Sequence, residues 1–354
     1  MRNQRIIFVT VAVIAANLLV GVFFMTRSRP STPVRSEIST PQLAANAIQG
    51  RSVFYTAAAR EILHRLRPEL ASEAEEQKFF QATQDPSAWR LLDHRLHFDA
   101  IWLCGDANGY RPLLRHLLET RDFVLTYLDH TSVIFARPPA TAFNAKALDA
   151  MKEKLTGRDR MIFLVGAANK LLAIGMLPLA KGYLDEAILL DGGSADARTQ
   201  LALYHAQLGE WREALDDCNR ALDLDAKFPA ALAAKAQILF GSKQFNAALE
   251  ISQQALEAHP DDPANLFLDA KIAHEAHAFQ REIIAMQNLV RLAEKAGAPV
   301  SGYRIYLAQA YAADGQAEPA IEQFEKARSA GDLSPEQKRF VEDSIARIRS
   351  RVHS

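Results

Sequence analysis

The chain has little cysteine, with only Cys104 and Cys218 in 354 residues. Two distant thiols form neither a disulfide framework nor the paired spacing of a zinc site. Charge of one sign is also lacking. The 41 Lys and Arg nearly match the 42 Asp and Glu, for a formal net charge of −1. That balance argues against a nucleic-acid partner, which demands a basic face. No glycine-rich phosphate loop, dinucleotide fingerprint or serine-nucleophile elbow is present. The chemistries that depend on those devices are excluded, and no cofactor is implied.

Long apolar runs are missing except at residues 6–25, IIFVTVAVIAANLLVGVFFM. This run carries no charge. As a helix rising about 1.5 Å per residue it would span roughly 30 Å, the hydrocarbon thickness of a bilayer. A cleaved signal peptide is the alternative, but Phe23-Phe24-Met25-Thr26-Arg27 is a poor cleavage site. The run therefore reads as an uncleaved single-pass transmembrane helix behind a basic tail, 1–5. The positive-inside count is nearly balanced: Arg2 and Arg5 before the run, Arg27, Arg29 and Arg35 after it. A short basic tail before a lone anchor favours a soluble part on the extracytoplasmic (periplasmic) side of the cell membrane. Residues 26–42 are rich in Ser, Thr, Pro and Arg and read as a linker.

Residues 43–160 read as a small α/β domain. Ser72 with Glu75 fits a capping box. Pro86 opens a helix through Trp89, Leu91 and Leu92. Phe98–Cys104 is a short apolar run and reads as a buried strand. Leu113, Leu114, Leu117 and Leu118 share one helical face. Phe123–Leu128 and Ser132–Ala136 are β-rich runs about a turn at Asp129-His130-Thr131. Residues 52–56 fit either a strand or the start of a helix over Ala57–Leu66.

Residues 161–334 repeat. Ala180, Ala214 and Ala248 are 34 residues apart, as are Ala187, Ala221 and Ala255, and Ala168, Ala202 and Ala236. Trp211, Phe245 and Phe279 keep the same step, as aromatics expected to fill the wedge beside the turn. A 34-residue period with small residues at fixed offsets signals stacked pairs of helices. One pair cannot bury its apolar face, so pairs must stack. The stretch resembles a tetratricopeptide repeat (TPR) array, with units 161–194, 195–228, 229–262, 263–300 and 301–334. Unit 195–228 carries Leu201-Ala202, Gly209, Trp211, Ala214 and Ala221. Unit 301–334 carries Leu307-Ala308, Tyr311, Gly315, Ala320, Phe324 and Ala327. Unit 263–300 departs most: Glu282 stands where the second helix wants a small residue, and Gly297 and Pro299 fall in four extra residues. Lys235 and Asp269 occupy positions that the family usually makes apolar.

The fold expectation is thus mainly α: a TPR helical-repeat solenoid at the C-terminus, preceded by the small α/β domain and the transmembrane helix. At 335–354 a capping helix is expected. Ser334 is its N-cap, Pro335 its first residue and Gln337 its third. Phe340, Val341, Ile345, Ile348 and Val352 form its apolar stripe.

The resemblance implies a partner-binding groove lined by the first helix of each unit. By register it includes Asn169, Leu203, Gln237, Lys271 and Gln309, with Phe240, Phe267 and His274 nearby. An extended or helical peptide held by Phe240 and Phe267 fits this mixture. Three constellations invite chemistry and are read structurally. His274 and His277 are three apart, not the four of the zinc-protease helix. His94 and His97, near Asp93 and Asp99, read as solvated. Cys104, near Asp106 and His116, reads as a buried small apolar residue. The functional expectation is a non-enzymatic, membrane-anchored scaffold that binds a protein or peptide. Trp89 to Arg137 also resembles the soluble tail of multi-spanning membrane glycosyltransferases, through hydrophobic pattern alone. That resemblance implies the alternative, an accessory subunit of envelope glycan synthesis or transfer whose α/β domain contacts a glycan or lipid-linked sugar.

Overall fold

The computed structural model describes residues 53–55, 82–83, 86–104, 110–295, 300–330, 333 and 335–352. The expected span 6–25, the linker 26–42, the Ser72–Glu75 capping box, the Ala57–Leu66 helix, Gly297, Pro299 and Ser334 lie outside these residues. Among the described residues no helix is long and apolar enough to cross a membrane. The chain divides into two compact units, residues 1–224 and 225–354.

The first unit holds a four-stranded sheet. Its strands are β1 (Val53–Tyr55), β2 (Ala100–Cys104), β3 (Val124–Leu128) and β4 (Ser132–Ala136), in the order β1-β2-β4-β3. Residues 53–55 are therefore a strand, parallel to β2 with Phe54 opposite Ile101. β4 pairs antiparallel with both β2 and β3. Helix α1 (Pro86–Leu96) begins at Pro86, and α2 (Arg111–Thr120) joins β2 to β3. β2 and β4 are buried along their whole length. Trp89 of α1 stacks on Phe98 at 5.8 Å and meets Phe54 edge-on at 5.0 Å.

The β3–β4 turn is built on a buried carboxylate. Asp129 accepts the Thr131 amide (2.7 Å), the Thr131 hydroxyl (2.8 Å), the Ser132 amide (2.7 Å) and the Tyr127 phenol (2.7 Å). An Asp whose side chain satisfies the backbone two and three residues on holds a turn by itself. Burial and the Asp129 charge both push the Tyr127 pKa up, so the phenol remains a donor.

Helices α3 (Ala145–Lys152), α4 (Gly157–Ala173), α5 (Leu177–Leu190), α6 (Ala195–Leu208) and α7 (Trp211–Leu224) complete this unit. α4 packs on α5, α5 on α6 and α6 on α7. One continuous apolar cluster runs from Phe54 through Trp102, Leu113, Phe163 and Leu184 to Leu201. The sheet and the first repeated helices thus share a core, and packing shows no break near residue 160. Glu186 of α5 accepts Lys152 (2.8 Å) and Arg160 (2.6 Å), tying α3, α4 and α5 together. Burial alone would raise the Glu186 pKa, but these two cations outweigh it and lower it.

The second unit comprises α8 (Pro229–Gly241), α9 (Phe245–Ala258), α10 (Pro263–Glu275), α11 (Phe279–Lys295), α12 (Ser301–Ala313), α13 (Ala317–Ser329) and α14 (Pro335–Val352). Each helix from α9 to α14 packs on the one before it. All nine alanines that mark the period in the sequence are buried. The aromatics on the same step depart from expectation. Trp211 is 38 % exposed, and Phe245 and Phe279 are half-buried. They stand at the first residue of the second helix, at the turn, where only part of a large ring can be covered.

The deviant positions are resolved by polar pairing. Asp269 is buried, where apolar residues are usual, and Arg281 of α11 grips it with Nη2 at 2.6 Å and Nε at 3.0 Å. The Ser252 hydroxyl of α9 donates to the same carboxylate at 2.7 Å. Glu282, in the small-residue position, is buried and lies 3.0 Å from His274 Nδ1. On α14, Val341 and Ile345 are buried against Phe324 and Ala327 of α13, while Lys338, Arg339, Glu342, Asp343 and Arg347 are exposed or nearly so.

Candidate partner-binding face

The first helices of the repeats carry the eight residues expected to line the groove, and the structure gathers only some of them. In the first unit, Asn169 of α4 donates its side-chain amide to Gln200 of α6 at 3.2 Å. Leu203 is half-buried and packs on that unit's core. In the second unit, Gln237 of α8 is exposed and Gln309 of α12 is half-buried. His274 is engaged by Glu282, within its own helical pair.

Three residues come together. The Lys271 ammonium lies 5.4 Å from the Phe240 ring centroid and 5.7 Å from that of Phe267. Both distances are within the range of cation–π attraction. Phe267 and Lys271 are four apart on α10, so they share a helix face. Phe240 comes from α8, which touches α10. Both rings are half-buried. Tyr306 of α12 extends the row, meeting Phe267 edge-on at 5.8 Å. Tyr306 was not singled out from the sequence. Its signal was present, since it is one register position beyond that of Phe267 in the next unit.

The electrostatics of this row are unusual. Lys271 keeps solvent contact, yet the crowding of protein about its ammonium lowers its pKa, opposed only in part by Glu275. Among the described residues the ammonium has no carboxylate within ion-pair range; its partners are the two rings. The arrangement offers two apolar faces, one cation between them and a phenol beside them. It can hold an apolar side chain and a hydrogen-bond acceptor at once. Nothing in it is a nucleophile paired with a base.

The other constellations are not drawn together. His94 and His97 are exposed, with rings 6.1 Å apart. Among the described residues no group of three or more His, Cys, Asp or Glu is placed to hold a metal ion. Cys104 and Cys218 are both buried thiols. His116 is half-buried, and burial followed by the Arg90 charge lowers its pKa.

Comparisons with known proteins bear on the helices. Residues 205–272 match the family model described as "Tetratricopeptide repeat". No curated protein matches the chain in sequence. Among solved structures, MamA (residue 41 to the end) from Desulfovibrio magneticus RS-1 is similar at 21 % identity. The match covers 48 % of this chain and 96 % of that one, with a TM-score of 0.41. YrrB, described as a TPR protein with an unusual peptide-binding site, is similar at 19 % identity over 53 % of this chain and 91 % of its own, with a TM-score of 0.40. PilF of Pseudomonas aeruginosa is similar at 16 % identity over 58 % of this chain and 91 % of its own, with a TM-score of 0.43. The family match falls on the stretch from the end of α6 to α10.

Proposed function

We propose that the chain is a membrane-anchored scaffold that captures a protein or peptide segment on the Phe240–Lys271–Phe267–Tyr306 row. The observation that carries this reading is the Lys271 ammonium within cation–π range of two half-buried rings, with no carboxylate in ion-pair range among the described residues. Aromatic anchors beside a partly desolvated charge are the kind of group that concentrates binding energy. Residues 6–25 supply the anchor, and the soluble part lies on the extracytoplasmic side. Support for both is the uncharged run and the short basic tail before it. The reading needs no catalytic group.

The test is photocrosslinking from Gln237, which is exposed one turn before Phe240. A discrete adduct is expected in intact cells. It should be lost in the Phe240→Ala, Phe267→Ala double variant while the melting temperature changes little. Equal loss of folding and crosslinking would defeat the assignment. Topology is read separately, from a cysteine placed in the 26–42 linker and labelled by a membrane-impermeant maleimide. The alternative, an accessory subunit in glycan synthesis, predicts saccharide binding by the sheet region, and a glycan array probed with the full chain separates the two.

A further inference from the structure

The outward side of α1 and α2 combines exposed leucine with exposed arginine. The crossovers β1–α1–β2 and β2–α2–β3 both connect parallel strands and step the same way along the sheet order. Right-handed crossovers of that kind put both helices on one face of the sheet, and the two helices touch. Their inner sides bury Trp89, Leu92, Leu113, Leu114 and Leu117.

Their outer sides do not bury leucine. Leu91 is 76 % exposed, Leu118 38 % and Leu96 37 %. Around these leucines five arginines are exposed: Arg90 and Arg95 on α1, Arg111 and Arg115 on α2, and Arg121 at its C-cap. Three carboxylates of the same segment, Asp99, Glu119 and Asp122, are exposed. Asp93 is already held by Arg137 at 2.8 Å. Arg90, Arg115 and Arg121 have no carboxylate within ion-pair range among the described residues. Some arginines elsewhere do have one, Arg160 with Glu186, Arg281 with Asp269 and Arg349 with Glu325, while others, such as Arg158 and Arg212, are exposed without one among the described residues. What marks this face is that three such arginines stand on the same two helices as exposed leucines.

We infer that the Leu91–Leu118 face of α1 and α2 lies on an anionic lipid surface, its leucines at the boundary of headgroup and acyl chain and its arginines among the phosphates. Guanidinium groups ringing aliphatic side chains match that boundary, where charge and hydrocarbon meet within a few ångströms. A nucleic acid would engage the arginines and leave the leucines in water. Each Arg near an anionic membrane contributes about 1 kcal/mol, so the face alone holds the membrane weakly. It becomes effective once a tether raises the local concentration. The inference therefore rests on the proposed anchor at 6–25.

The test uses the full chain with Leu91→Cys, labelled with an NBD fluorophore. Cys104 and Cys218 are buried, and the unsubstituted chain measures any labelling there. The labelled protein is reconstituted into vesicles of phosphatidylcholine alone or mixed with phosphatidylglycerol, some carrying doxyl-labelled acyl chains. In the mixed vesicles the emission should move to the blue and be quenched by the doxyl groups. Both effects should be lost in neutral vesicles, at high salt, and in the Arg90→Glu, Arg115→Glu variant. A probe that stays aqueous while the chain floats with the vesicles overturns the inference and leaves the anchor standing. Equal quenching in neutral and anionic vesicles overturns the anionic preference. A blue shift without doxyl quenching means that protein covers the face, and it too overturns the inference. A chain that floats with neither kind of vesicle defeats the anchor and this inference with it.

Discussion

Gly166 of α4 lies directly against His130 of the β3–β4 turn. A Cβ built on Gly166 would come within 2.8 Å of His130 Cβ and 2.9 Å of the His130 carbonyl oxygen. Neither atom can swing aside, since one is backbone and the other is fixed to it. The first repeated helix is thereby seated on the sheet with no room for a methyl group. His130 also meets Phe163, one turn earlier, at 5.3 Å.

Gly166→Ala should therefore destabilise the first unit. Alanine is favoured over glycine inside a helix by about 1 kcal/mol, but forcing backbone apart costs roughly 1–3 kcal/mol. The contrast is Gly182, inside α5, where an added Cβ meets nothing within 4 Å. Gly182→Ala should stabilise by up to about 1 kcal/mol. Urea unfolding of both variants checks the pair. A gain in both would mean that α4 is not seated on the turn.

A second relationship recurs along the chain. Gly175, Gly209, Lys243 and His277 are spaced 34 apart, and each takes a left-handed backbone at its helical turn, with φ of +79°, +77°, +63° and +56°. Gly315 does the same at +82°. A side chain in that conformation costs about 1–2 kcal/mol relative to the right-handed form, while glycine adopts it freely. Glycine also loses more entropy on folding. Lys243→Gly and His277→Gly should each stabilise by roughly 0.5–1 kcal/mol after that offset, and Gly209→Ala should destabilise by a similar amount. Melting curves of the three variants decide it.

These turns show what the sequence could carry. Gly209 and Gly315 were legible as turn residues because glycine signals the conformation directly. Lys243 and His277 were not, since nothing in their chemistry does. The buried alanines were legible because close helix contact leaves room only for a small residue, and the period repeats that demand. The strands β2, β3 and β4 were legible as apolar and β-branched runs bounded by turn signals. The shared core of the sheet and α4 was not, because Gly166 and His130 belong to different local patterns and meet only in three dimensions. In the row proposed to bind a partner, the proximity of Phe240, Phe267 and Lys271 followed from register. The engagement of His274 by Glu282 needed the partner helix, although an acid in a small-residue position was a sign that a cation stood nearby.

The Asp269–Arg281 pair offers a stronger test of that sign. Asp269 is buried with two donors, Arg281 and Ser252, and Arg281 Nη2 also reaches the Leu249 carbonyl at 3.0 Å. Removing one partner of a buried ion pair costs about 3–5 kcal/mol, while replacing both by packed apolar residues is often neutral or stabilising. Arg281→Met alone should cost about 3 kcal/mol, because it strands the carboxylate. Asp269→Leu with Arg281→Met should recover most of that loss. Denaturant midpoints of the single and double variants measure it, and additive losses would show that the pair does not act as a unit.

The last prediction concerns pH. The Glu282 hydrogen bond raises the His274 pKa above its usual 6.5 against the lowering effect of burial, and the charges of Glu282 and Glu275 add to the rise. The folded chain thus holds this proton more tightly than the unfolded chain does. The stabilisation from protonated His274 is complete below the unfolded value of about 6.5. It is lost as the pH climbs through the raised folded value. The stability of wild type relative to His274→Gln should therefore fall as the pH rises above about 6.5. His277, three residues on and exposed at the turn, stands 5.7 Å from Phe279, so His277→Gln serves as the control for a general histidine effect. Glu282→Gln should remove most of the difference, since it takes away the hydrogen bond and charge that contribute most to the rise. Because Glu282 is buried, added salt should leave most of the effect in place. Denaturant unfolding across that range decides the matter, and a flat difference would mean that His274 and Glu282 do not share the proton in solution.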